Sequence, residues 1–176
     1  MAGVVLAAFA TRAAAQNTAP TADEVKAAYL HKFAGYVEWP AKSFPDPGAP
    51  FVIGIVGADP VYAELARLMV GRTMQGRPVE LHHLSRTDPP RELHMLFVGQ
   101  DVGAEASAGI IAGYKGRPVL TVSDLPRGLE VGAALNFLER DKRIRFEAAP
   151  AAAEQAGLHL SSRLLAVAVR VSGGLP

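Results

Sequence analysis

FVIGIVGADP, residues 51–60, is a six-residue apolar run followed by a turn and a helix start. Turn signals flank Phe51–Val56 on both sides, so the run reads as a strand buried on two faces, as in a parallel sheet. Asp59 can cap a helix whose first position is Pro60. Val61, Leu65, Leu68 and Met69 fall on one side of that helix, and Gly71 ends it. Arg77-Pro78-Val79 opens a second strand toward Leu84, and Ser85–Pro90 is a loop. The pattern then recurs: a strand at Leu93–Val98, an Ala-rich helix from Ala104 to Ala112, and a strand at Pro118–Val122. Val56-Gly57-Ala58-Asp59 matches Val98-Gly99-Gln100-Asp101, and Gly76-Arg77-Pro78-Val79 matches Gly116-Arg117-Pro118-Val119. The spacing of about 40 residues implies two strand–helix–strand units. The expected fold is α/β: a largely parallel sheet with helices on both faces, completed by a C-terminal antiparallel hairpin.

Upstream, Val25–Pro40 (VKAAYLHKFAGYVEWP) begins as a helix. Thr21 and Glu24 form a capping box, and Val25, Tyr29, Phe33 and Val37 make one apolar stripe. Pro40 is expected to stop the helix at Trp39, the chain's only Trp. The Tyr36-Glu38-Trp39-Pro40 corner is either a plug in the core or a recognition surface. Ala41–Pro50 is a proline-rich loop.

Downstream, a hairpin turning at Arg140-Asp141 is expected to pair Glu139 with Lys142, Phe137 with Ile144 and Leu135 with Phe146. That register puts the four large apolar residues on one face. Asn136, Arg143, Arg145 and Glu147 share the other face, which is either solvated or able to anchor a charged group. A short helix at Ala148–Ala156 ends at Gly157. Ser161 or Ser162 caps a last helix with Leu164, Leu165, Ala168 and Val169 on its apolar side. Gly173–Pro176 is expected to fray.

With 176 residues, 49% hydrophobic and 20% charged, the chain can form one domain with a proper core. A net charge of +1 without a Lys/Arg block gives no footprint for nucleic acid. The absence of cysteine removes disulfides, thiolate catalysis and zinc–cysteine sites. Met1–Ala15 has the apolar run and small-residue end of a secretory signal, leaving residues 16–176 as a single domain. Its apolar run is too short to span a bilayer.

No dinucleotide, P-loop, nucleophile-elbow, zincin or EF-hand pattern is present. Of five histidines, His82 and His83 are neighbours on a strand and point to opposite faces, so they cannot chelate one metal. No metal, cofactor or catalytic residue is expected. Asp59 and Asp101 would lie at the carboxyl ends of parallel strands, where open α/β sheets bind ligands. With Asn136 they form the alternative reading, a small-molecule sensor; as plain helix caps they bind nothing.

Lys32-Phe33, Tyr36-Val37-Glu38-Trp39-Pro40, His94–Val98, Gly128–Phe137, Arg145-Phe146-Glu147, Ala156-Gly157-Leu158 and Ser161–Leu165 together, in this order, resemble the YfiR family. The resemblance spans Val25 to Val169. It implies a periplasmic, non-enzymatic regulator that represses a membrane-bound diguanylate cyclase by contacting its periplasmic sensor domain. Cyclic di-GMP synthesis and biofilm formation then fall. It also implies dimers for some members. Tyr36, Glu38, Trp39 and Pro40, with Arg143, Arg145 and Glu147, are the candidate partner surfaces. Two departures stand out. Family members often carry disulfide-forming cysteines, one just before the central His, where this chain has Leu93. Ala148-Ala149 replace the Ile-Asn that tends to follow Arg-Phe-Glu.

Overall fold

A computed structural model describes residues 19–173. The first helix, α1 (Ala22–Phe33), starts on the expected capping box: the Thr21 hydroxyl accepts from the Glu24 amide and the Glu24 carboxylate from the Thr21 amide. It ends six residues earlier than Trp39. A short 3₁₀ turn, Ala34–Tyr36, follows, and Val37–Glu38 extends as β1. Val37 and Glu38 pair antiparallel with Leu160 and His159 of a later strand, and that tertiary pairing outweighs the helical periodicity.

In chain order come β2 (Phe51–Val56), α2 (Asp59–Met69), β3 (Thr73–Met74), β4 (Arg77–Leu84), β5 (Met95–Val98), α3 (Ala104–Ala112), β6 (Leu120–Ser123), β7 (Leu135–Arg140), β8 (Arg143–Ala148), α4 (Pro150–Gln155), β9 (His159–Leu160), α5 (Ser162–Val167) and β10 (Arg170–Val171). The main sheet has eight strands in the order β10-β8-β7-β6-β5-β2-β4-β3. β4, β2, β5, β6 and β7 are mutually parallel neighbours. The two strand–helix–strand units are therefore β2-α2-β4 and β5-α3-β6, and the chain reverses direction of growth between β2 and β5.

Each central strand sends alternate residues to two cores. Phe51, Ile53, Ile55, Met95, Phe97, Leu120 and Val122 pack with Leu30 and Phe33 of α1 and with Val61 and Leu65 of α2. Val56, Leu96 and Val98 pack on the opposite face with Ile111 of α3 and with Val102 and Tyr114. This two-sided burial is why Phe51–Val56 is continuously apolar.

The hairpin keeps the expected faces but not the expected register. Phe137 opposes Phe146, Leu135 opposes Ala148 and Arg140 opposes Arg143, so the turn is Asp141-Lys142. Both turn residues have left-handed φ, 53° and 57°. A two-residue turn of this hand matches the strand twist, and Asp tolerates it better than Arg140 would at its first position. Because the shift moves pairing by two, the side-chain parity survives. Phe137 and Phe146 meet Phe33 at ring separations of 5.6 and 5.0 Å.

The last helix is capped by Ser161, as expected, but stops at Val167. Arg170–Val171 then run parallel beside Glu147–Ala148, because Glu147 recruits Arg170. A second tight turn at Gln75-Gly76, also left-handed, adds β3 to the sheet edge.

Candidate functional site

Gly57 and Gly99, the matched glycines of the two units, end up side by side. Val56 and Val98 are registered neighbours, and the Gly99 amide donates to the Val56 carbonyl at 2.8 Å. A Cβ on Gly99 would lie under 3.0 Å from the Gly57 carbonyl, and one on Gly57 would strike Val102. The crevice in which sheets of this order hold ligands is thus closed by its own backbone. Asp59 and Asp101 sit at its rim and are exposed. Asp59 lies in the first turn of α2, where its carboxylate makes no cap and instead meets His83 Nε2 at 2.8 Å. Asp101 accepts Arg86 through its backbone carbonyl. Asn136 is buried, apart from both aspartates' polar contacts.

Asn136 belongs to a closed polar network on the second face of the sheet. Its Oδ1 accepts from Ser123 Oγ at 2.7 Å, and its Nδ2 donates to the Leu125 carbonyl and to Glu147 Oε1, each at 3.0 Å. Glu147 Oε2 accepts Arg170 Nε at 2.8 Å and Nη2 at 2.6 Å. Gly128 covers the network so closely that a Cβ there would fall under 3.0 Å from both Ser123 Oγ and Asn136 Oδ1. Glu147 pairs with Arg170, not with Arg143 or Arg145. Arg143 is exposed and Arg145 half-buried, and both line a groove of about 590 Å³ with Tyr29 and Glu139 between α1 and the hairpin.

The Trp39 corner is built around His94. Trp39 packs edge-on against Phe51 at 5.2 Å, and its Nε1 donates to the His94 carbonyl at 3.2 Å. His94 Nδ1 accepts the Val52 amide at 3.0 Å, which leaves Nε2–H to donate to the Ser43 carbonyl at 2.9 Å. Its ring stacks on Phe44 at 4.3 Å. Burial above all, and then the nearby Arg77 charge, lowers the His94 pKa against the opposing pull of the Ser43 carbonyl, so the imidazole is held neutral. Trp39 therefore faces inward, while Tyr36 is 41% exposed and Glu38 is exposed beside it. Gln75 braces the corner from behind, donating to the Ala34 and Val37 carbonyls.

A model of the YfiR/HmsC-like family matches residues 23–169, from α1 through the end of α5. The chain belongs to the YfiR/HmsC-like family. No individual curated protein matches closely enough to refine that assignment. In this YfiR/HmsC-like chain the seven candidate partner residues form two separate places: the Tyr36–Pro40 corner and the hairpin face, with Glu147 sealed beneath the latter. Among the described residues, no group of three or more His, Asp or Glu is placed to hold a metal ion, and no helix is long and apolar enough to cross a membrane. The expected signal at Met1–Ala15 lies outside the described residues.

Sequence reasoning met His94 only as part of the family motif, and passed over Ser123, Asp124 and Arg170. Asp124 closes the carboxyl end of β6, accepting Lys26 Nζ at 2.6 Å and the Gln100 amide at 2.7 Å. Only its position directly after a strand signalled such a role.

Proposed function

We propose that this chain is a periplasmic regulator that represses a membrane-bound diguanylate cyclase by binding the cyclase's periplasmic sensor domain, lowering cyclic di-GMP and biofilm formation. The observation that carries this reading is the family match across residues 23–169. The regulator acts by linkage: it binds one conformation of its receptor and draws the population toward it. Tyr36 and Glu38 make the contact, with Trp39 and Pro40 as their rigid backing. Arg143 and Arg145 offer a second, basic patch, while Glu147 is buried and committed to Arg170. An exposed aromatic on an immobilised backbone loses little entropy on binding.

The test is capture from solubilised inner membranes with the tagged protein, followed by mass spectrometry. A cyclase with a periplasmic domain is the expected catch, and Tyr36→Ala or Glu38→Arg should lose it while melting like the wild type. Membranes known to contain such cyclases that yield none would overturn the proposal.

A further inference from the structure

The parallel strands β2, β5 and β6 begin at one edge of the sheet, opposite the closed crevice. There the loop after Trp39 stands away from the strand starts and leaves a cleft of about 490 Å³. That is within the range of small-molecule sites, roughly 300–1,000 Å³. Its apolar lining is Pro50, Val52, Leu93, Pro118 and Val119. Three cations, Lys42, Arg91 and Arg117, line the same cleft against one acid, Glu92. The ion pairs among the described residues engage none of the three. Ser43, also on the wall, has a buried hydroxyl with no hydrogen-bond partner. A buried polar group in that condition is destabilising unless a ligand or water supplies the missing bond. The excess of positive charge beside an apolar floor defines what fits: an anionic head on a flat apolar body.

We propose that this cleft binds a small amphipathic organic anion, a carboxylate or phosphate attached to an aromatic or similarly flat apolar group. The head meets Arg117, Arg91 and Lys42, and the body lies on Val52, Leu93 and Pro118. His94 stays neutral at the base of the wall and fixes the loop through Ser43, so the loop is in place before the ligand arrives. The site stands independently of the receptor reading.

Equilibrium dialysis of the full chain against 2-naphthoate, 2-naphthyl phosphate and the uncharged 2-naphthalenemethanol tests it. One or both anions should bind saturably and at least about tenfold tighter than the alcohol, the discrimination expected of one charge-assisted hydrogen bond. Binding by one anion alone names the head group. Arg117→Ala and Lys42→Ala, both at exposed positions, should each weaken the anion by about tenfold, and Arg127→Ala, remote from the cleft, should not. The proposal is overturned if neither anion binds, if the alcohol binds as well as the anions, or if both cleft variants retain full affinity.

Discussion

Adding one methyl group at Gly128 should unfold far more of the protein than adding the same group at Gly109. At Gly128 the new Cβ lands under 3.0 Å from Ser123 Oγ and Asn136 Oδ1, two atoms already bonded to each other at 2.7 Å. Neither can retreat. Ser123 is wholly buried, and the Asn136 amide nitrogen has both hydrogens committed, to Leu125 and Glu147. Overpacking a filled site costs about 1–3 kcal/mol. Parting Ser123 from Asn136 strands a buried hydroxyl, for roughly another 1–3 kcal/mol. The sum, about 2–6 kcal/mol, is a large share of the 5–15 kcal/mol typical of a domain. Gly109 lies in the exposed side of α3 with nothing within 4 Å of its would-be Cβ. There Gly→Ala should stabilise by about 0.5–1 kcal/mol through helix propensity. Urea unfolding followed by Trp39 emission and far-ultraviolet circular dichroism measures both. A Gly128→Ala loss below about 1 kcal/mol, or a Gly109→Ala change of the same sign and size, would refute the closed-network argument.

Three further predictions come from other parts of the fold. His94 has a pKa below its ordinary 6.5, so the unfolded chain binds the proton more readily. Stability should be full above about pH 6.5 and decline as pH falls, and His94→Gln should flatten that decline, the remainder coming from His31, also lowered by burial. Unchanged slopes in paired urea titrations at about pH 7.5 and 5 would count against it. Lys142→Gly, at φ 57°, should raise the unfolding free energy by about 1 kcal/mol by relieving a left-handed side-chain residue; a loss would show that Lys142 makes an unrecognised contact. Glu147→Gln and Arg170→Ala should couple by about 1 kcal/mol in a double-mutant cycle, modest because the Arg170 side chain is 60% exposed; strict additivity would dissolve the pair.

The sheet was legible because its strands are short apolar runs between Gly and Pro punctuation, and because Val56-Gly57 and Val98-Gly99 repeat the same strand ending. Parity in the hairpin was legible too, since Phe137 and Phe146 can only share a face with a core. Its register was not: the opposite charges of Glu139 and Lys142 favoured one turn, whereas backbone handedness at Asp141-Lys142 selected another. The end of α1 was hidden because Val37 continues a helical stripe yet pairs with Leu160, which lies 123 positions away (160 − 37). Of the candidate residues, Glu147 was expected beside Arg143 and Arg145. Its actual partner, Arg170, lies on a two-residue strand too short to leave a pattern. The cleft around Lys42, Arg91 and Arg117 draws on three distant segments, and no local spacing marks it.

Glu147 has a temporal meaning as well as a spatial one. It is synthesised 23 residues before Arg170. While the chain is being made, β7 and β8 can pair and Asn136 can engage one carboxylate oxygen, but the other must stay hydrated until Arg170 emerges. Burying that face under Leu125 and Gly128 without Arg170 would leave one carboxylate oxygen of Glu147 uncompensated, so the interior is stable only with the final strand in place.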